Sequence, residues 1–147
     1  MDTTARYYRR YSDARLRALV FISVSILLFP LSIAASLVAI PTIADDLEVS
    51  AVLASWIPAA FVLSSLVCQL PGGRLADLVG LKRAFVWSNV FFVIGGIGGA
   101  LSPTIEVLLT SRVLQGAAGA VLASTGMAIL SRVYESKGRG QALGWMT

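Results

Sequence analysis

Four long runs with almost no charge determine what this 147-residue chain can fold into. They cover residues 18–44, 49–73, 84–105 and 107–131, and the only charged residue within them is Arg112. A transmembrane helix needs about 20 consecutive apolar residues. In hydrocarbon, backbone amides must be paired within their own segment, so runs of this length are predicted to be helices. The sequence therefore predicts an all-α membrane protein with about four transmembrane helices.

The composition excludes several other classes of protein. Only 14% of the residues are charged, compared with about 25% in soluble domains. The net charge of +4 comes from basic residues that flank the apolar runs, so a nucleic-acid partner is not expected. The chain has no histidine and a single cysteine, Cys68, so neither a metal site nor a cofactor is expected. No nucleophile and base pair is evident in the sequence, so an enzyme is not predicted.

The basic residues indicate how the helices are oriented. Of the twelve basic residues, all except Arg112 lie before the first run, between the second and third runs, or after the fourth. The connections on the opposite side carry only acids, namely Asp45, Asp46, Glu48 and Glu106. The positive-inside rule then predicts a multi-pass protein of the cell membrane with a cytoplasmic N-terminus. A cleavable signal peptide is the alternative for the first run, which is longer than the usual apolar stretch of about 7–15 residues.

The chain is predicted to consist of a short tail and part of a helical bundle. Residues 1–17 form the cytoplasmic N-terminal segment, and residues 18–147 form a partial N-terminal transmembrane bundle. The helices are predicted at approximately 18–44, 50–73, 84–105 and 107–131, with the start of a fifth at 141–147. Because that last segment supplies only about two helical turns, the chain is expected to be an N-terminal fragment of a longer protein.

The connection between the second and third runs contains an unusual pattern of glycine, acid and base. A short cytoplasmic loop needs only a turn and some positive charge, but this one also has a carboxylate. The pattern resembles the loop signature of the major facilitator superfamily, which lies between helices two and three and acts as a conformational switch; the alternative is a basic turn with accidental spacing. The matching residues are Gly73, Asp77, Gly80, Lys82 and Arg83, whereas Leu81 replaces a residue that is commonly basic.

The fourth run carries a polar stripe. Gln115 and Gly116 follow Arg112 at i+3 and i+4, so all three share one helix face. An arginine within the membrane is costly and is expected to face the protein interior. The stripe resembles a motif of the same superfamily, R-x-x-Q-G, in whose drug:proton antiporters the arginine is linked to proton coupling. Alternatively, Arg112 snorkels to the outer headgroups, since it lies only about 9 Å from Glu106 along the helix.

The end of the first run resembles a third segment of the family. Residues 40–47 are similar to the segment that ends helix one of the fourteen-helix drug:proton antiporters, although Ser32 stands where those proteins usually have an aspartate. Ser25, Ser32 and Ser36 share one helix face and are candidates for lining a cavity. Alternatively, these serines pack against neighbouring helices or bond to their own backbone.

These resemblances imply a secondary active transporter, most plausibly a proton-coupled exporter of multiple drugs or other small molecules. The implied partners are a small-molecule substrate, protons, the lipid bilayer and the C-terminal helices that this chain lacks. Helices one to four hold no buried acid, so a coupling carboxylate is expected elsewhere in the full-length protein. A self-contained four-helix multidrug pump would need a carboxylate in helix one, and residues 18–44 have none. A non-transporting four-helix membrane scaffold or assembly partner is the remaining alternative.

Overall fold

The computed structural model describes residues 3–135 of the chain. This part consists of helices joined by short connections: α1 (Thr3–Asp46), α2 (Ala51–Ala54), α3 (Trp56–Val79), α4 (Leu81–Ala100) and α5 (Ile105–Glu135). The predicted start of a further helix at 141–147 lies outside the described residues.

Four stretches are long and apolar enough to cross a membrane, which confirms the predicted all-α membrane class. They are Leu19–Asp46, Ala51–Val79, Leu81–Ala100 and Ile105–Arg132. Large apolar side chains cover much of their outer surface, and Leu70 and Leu78 are each more than 80% exposed. Such extensive apolar exposure is unfavourable in water but suits contact with lipid.

The helices do not begin and end where the uncharged runs do. The first helix, α1, already begins at Thr3, within the segment assigned to a cytoplasmic tail, and α3 continues to Val79, six residues past its uncharged run. At 1.5 Å per residue α1 is about 66 Å long, roughly twice the thickness of the hydrocarbon core. The absence of charge marks the part of a helix that lies in lipid, whereas backbone hydrogen bonding continues into the polar region.

Among the described helices, α5 makes the most extensive contacts, mainly with α3 and α4 and less extensively with α1. A buried cluster in the middle of the bundle joins these helices through Phe61, Phe92 and Leu122. The rings of Phe61 and Phe92 meet edge to face with centroids 6.4 Å apart, and Phe29 of α1 lies 5.0 Å from Phe61. Such aromatic pairs contribute about 0.5–1.5 kcal/mol beyond the area that they bury.

A second buried cluster holds one end of the bundle together. It joins Ala54 of α2 and Ile57 of α3 to the start of α5, where Ile105 and Leu108 lie. Ile43 of α1 packs against this cluster. The two acidic connections of the sequence therefore lie at the same end of the bundle. We call this the acidic end.

At the other end, α3 and α4 are joined by the single residue Gly80. The amide of Gly80 donates to the carbonyl of Ala76 at 2.9 Å, and its own carbonyl accepts from the amide of Ala84 at 3.0 Å. Its backbone angles, φ 95° and ψ 134°, lie in a region that only glycine adopts readily. The sequence-based prediction of a loop over residues 73–83 is therefore wrong. This stretch is the end of one helix, a one-residue corner and the start of the next.

The Gly80→Ala substitution is expected to destabilise the corner, because a Cβ is strained at this positive φ. The cost is expected to be about 1–3 kcal/mol of unfolding free energy. Thermal unfolding of the detergent-solubilised chain measures the difference. Gly73→Ala is the matched control, since Gly73 is helical and a Cβ there would meet no atom within 4 Å. Equal stability of the two variants would contradict the assigned backbone conformation.

Candidate functional site: a polar pair on the central helix

The guanidinium of Arg112 is hydrogen-bonded within the membrane-spanning part of α5. Its Nη1 donates to Oε1 of Gln115 at 3.0 Å, and Gln115 itself is only 4% exposed. The i+3 spacing brings the two side chains together on the helix surface. Because α5 begins at Ile105 at the acidic end, this hydrogen bond joins Arg112 to a residue about one turn deeper in the membrane.

The hydrogen bonding of Arg112 is incomplete. Its Nε atom is buried and has no hydrogen-bond partner among the described residues. A buried donor without a partner costs about 1–3 kcal/mol, and more when the group is charged. The fold thus holds a half-buried guanidinium about 10 Å from the start of α5, and the described residues accept hydrogen bonds from only some of its donors.

Glycines of α4 make room for Gln115. A Cβ on Gly95 would lie 2.9 Å from Cβ of Gln115 and 3.0 Å from its backbone nitrogen. A Cβ on Gly96 would lie 3.3 Å from Nε2 of the same side chain. Real Cβ atoms rarely approach other atoms so closely, so any larger residue at Gly95 would move α4 away from the polar pair.

Gly116 faces a different neighbour. A Cβ at this position would overlap the backbone carbonyl of Phe61 and the hydroxyl of Ser64, both in α3. The single stripe predicted from Arg112, Gln115 and Gly116 is thus divided between two contacts. Gln115 packs against α4, and Gly116 packs against the backbone of α3.

The three serines of α1 are placed in different environments. Ser25 and Ser36 are buried, at 3% and 2% exposure, and Ser32 is half-buried. The hydroxyl of Ser36 donates to the carbonyl of Ser32 at 2.7 Å, so it bonds to its own helix. These environments match the packing alternative more closely, and a serine-lined cavity stays a prediction.

The family-like residues around Gly80 lie together at the end of the bundle opposite the acidic end. Asp77, Lys82 and Arg83 are exposed there. Gly73 makes no close contact with another helix, because a Cβ there would meet nothing within 4 Å. The neighbouring Gly72 does make a close contact with α5, since its Cβ would lie 2.7 Å from Cγ2 of Val121. The sequence contains both glycines and gives no signal as to which one faces α5.

The two motifs thus occupy opposite ends of one helical bundle, in the order along the chain that the family resemblance requires. Residues 22–147 match the sequence profile of the Major Facilitator Superfamily. The chain belongs to the major facilitator superfamily. The family that was predicted from the two motifs is therefore confirmed.

Several curated proteins are similar to this superfamily member. It is 30% identical over 130 residues to the transporter YebQ of Escherichia coli (strain K12), with 88% of this chain and 28% of the relative covered. It is 32% identical over 133 residues to the efflux pump dotC of Dothistroma septosporum, with 89% of this chain and 23% of the relative covered. It is also 32% identical over 117 residues to the galactose-proton symporter of Escherichia coli (strain K12), with 80% and 25% covered.

The chain spans about a quarter of the length of these relatives. These relatives are transporters by name rather than enzymes, in agreement with the interpretation of the sequence. The family and the four apolar helices make the chain part of a multi-pass membrane protein.

Proposed function

We propose that these helices are the first part of a secondary active transporter that exports small amphipathic or cationic compounds in exchange for protons. Similarity to an efflux pump and to a proton symporter supports this assignment. The observation that carries it is the Arg112–Gln115 pair, a charged side chain that is held inside a membrane helix with one donor unsatisfied. Ionisable groups at membrane depth are costly and generally functional.

A guanidinium stays protonated at any physiological pH, so Arg112 provides a fixed positive charge and does not itself carry the proton. Such a charge favours the ionised form of a carboxylate that approaches it. A carboxylate on a helix outside this chain would also supply an acceptor for the unsatisfied guanidinium. In this proposal, the approach and release of that carboxylate couple proton binding to the conformational change.

The corner at Gly80 supplies the second element of the proposed mechanism. Asp77 lies on the last turns of α3 with its side chain exposed, beside the exposed bases Lys82 and Arg83. We assign these charges to contacts with the second helical bundle of the full-length transporter in one of its two states. By the positive-inside rule, we assign this corner, together with the N-terminus, to the cytoplasmic side of the cell membrane.

Everted membrane vesicles that contain the full-length protein test the proposal, with ethidium as the transported probe. An imposed pH gradient is expected to drive ethidium uptake, and a protonophore is expected to abolish it. Uptake that is independent of the gradient would overturn proton coupling. The absence of any uptake of ethidium or other amphipathic cations would favour the scaffold alternative.

Asp77→Asn is expected to slow that uptake by about tenfold or more, because one charged contact of about 1.5 kcal/mol is lost from one transport state. Asp46→Asn is the matched control, since this exposed acid lies at the acidic end, away from the corner. Initial rates in the same vesicles, normalised to the amount of protein, provide the comparison. Equal rates for both variants would remove the corner from the mechanism.

A further inference from the structure

An apolar groove of about 650 Å³ lies between α3, α4 and α5. Its volume is in the range of pockets that hold small molecules. Neither Arg112 nor Gln115 lines it, so the groove is separate from the polar pair. Small residues, among them Gly72, Ala117 and Ala118, are part of its lining. Their lack of bulk leaves a depression that the three helices do not fill.

The groove runs inward from the corner at Gly80. On α3 its lining residues extend from Val79 to Cys68, which is eleven residues, or about 16 Å of helix. On α4 they extend from Ala84, four residues after the corner, to Phe91. The hydrocarbon core of a bilayer is about 30 Å thick, so one leaflet is about 15 Å deep. The uncharged runs place the edge of the hydrocarbon near Gly73 on α3 and Ala84 on α4, so the groove begins among the headgroups and ends within the same leaflet.

Exposed basic residues lie at the end of the groove near Gly80. Arg74 and Arg83 directly precede the lining residues Leu75 and Ala84 in sequence, and Lys82 precedes Arg83. Asp77 is the one acid in this stretch, so the bases outnumber it. Trp87 lines the groove one turn inside Arg83, at the depth where tryptophan rings favour the membrane interface.

We infer that this groove binds one acyl chain of an anionic phospholipid, whose phosphate pairs with Lys82 and Arg83. A groove confined to one leaflet suits an acyl chain, whereas a transmembrane helix would be about 10 Å wide and would continue across the bilayer. The charges at the end near Gly80 match an anionic headgroup. The positive-inside orientation places the site in the cytoplasmic leaflet, where anionic lipids are concentrated. The inference does not depend on the proposed transport activity.

Quenching of Trp87 fluorescence by lipids with brominated acyl chains tests this site in the full chain. Trp56→Phe and Trp145→Phe leave Trp87 as the only one of the three tryptophans. Phosphatidylcholine bilayers then receive increasing fractions of brominated phosphatidylglycerol or brominated phosphatidylcholine. We expect half-maximal quenching at a roughly tenfold lower fraction of the anionic lipid, a preference that corresponds to about 1.4 kcal/mol.

Variants that remove the charges separate the contribution of the headgroup to lipid binding from the contribution of the groove. The double variant Lys82→Gln, Arg83→Gln is expected to lose the preference, so that both lipids quench equally. The control Arg132→Gln removes an exposed base near the end of α5 and is expected to keep it. Ala117→Leu, which narrows the groove, is expected to reduce the preference for the anionic lipid several-fold, whereas Trp87, at 59% exposure, is still quenched by the surrounding lipid.

Two results would overturn the inference. Equal quenching by the two lipids in the chain with both bases would show that no anionic headgroup is selected. Failure of both lipids to quench Trp87 would show that another helix or a second copy of the chain covers the groove. A tryptophan placed at Leu70, which is 82% exposed, in a background that carries Trp87→Phe shows how strongly a freely lipid-facing ring is quenched.

Discussion

Gly116→Ala is expected to disrupt the packing of the bundle more than any other single methyl addition considered for this protein. The added Cβ would overlap the Phe61 carbonyl and the Ser64 hydroxyl. A backbone carbonyl cannot turn aside as a flexible side chain can, so α3 and α5 would have to separate. Overpacking typically costs about 1–3 kcal/mol, and the loss of unfolding free energy is expected at or above the upper end of that range. Titration of the micelle-bound chain with denaturing detergent, followed by circular dichroism, measures it.

Gly99→Ala is the matched control for this prediction. It adds the same methyl group to a glycine that also faces α5, but the new Cβ would lie 3.5 Å from Leu108 Cδ1, which is ordinary contact. Replacing glycine by alanine within a helix gains about 1 kcal/mol of helix propensity, so this variant is expected to be as stable as the parent or more stable. If Gly116→Ala proved equally stable, the close contact between α3 and α5 would be incorrect.

Arg112→Leu is expected to abolish proton-driven uptake of ethidium in the full-length protein while leaving the fold intact. The substitution removes a membrane charge whose buried Nε has no hydrogen-bond partner in the described part of the chain, which favours folding. It also removes the hydrogen bond to the buried Gln115, which opposes folding by about 1–3 kcal/mol. Because these contributions are opposed, the thermal stability is expected to change little. Uptake in everted vesicles and thermal unfolding of the same preparation provide the two measurements.

Arg112→Lys distinguishes a role of the charge from a role of the guanidinium. Lysine keeps the positive charge but not the planar set of donors, so partial uptake is expected. Full uptake by Arg112→Leu would contradict the proposed coupling role and would favour an arginine that merely extends to the outer headgroups. A large loss of stability in Arg112→Leu would instead show that Arg112 mainly stabilises the folded bundle.

The sequence predicts the four membrane-spanning helices because lipid leaves an apolar segment few choices. Most of a run such as 84–105 has to form a helix, since its amides find no water to bond with in hydrocarbon, and α4 covers this run as far as Ala100. The polar pair is predictable for a similar reason. Arg112 is conspicuous in an uncharged run, and the helical repeat alone brings Gln115 beside it.

The packing partners are not predictable in the same way. Helix periodicity places Gly116 on the face of Arg112 but does not reveal that α3 approaches this glycine while α4 approaches Gln115. The choice of Gly72 over Gly73 depends on the rotation of α3 about its axis, which no local signal determines. The glycines of α5 indicate in part that this helix lies at the centre of the bundle. A Cβ added at Gly119 would lie 2.6 Å from the ring of Phe29 in α1 and 3.3 Å from the ring of Phe92 in α4. A helix with small residues on several sides can be approached from several sides.

The one-residue connection at Gly80 has a mechanical consequence for the bundle. With no spare length of chain between them, neither α3 nor α4 can advance along its axis without carrying the linked end of the other. The opposite end of α4 is tied less tightly, because four residues, 101–104, separate it from α5. Any force that reaches Asp77 or Arg83 from outside therefore acts on the linked ends of both helices at once.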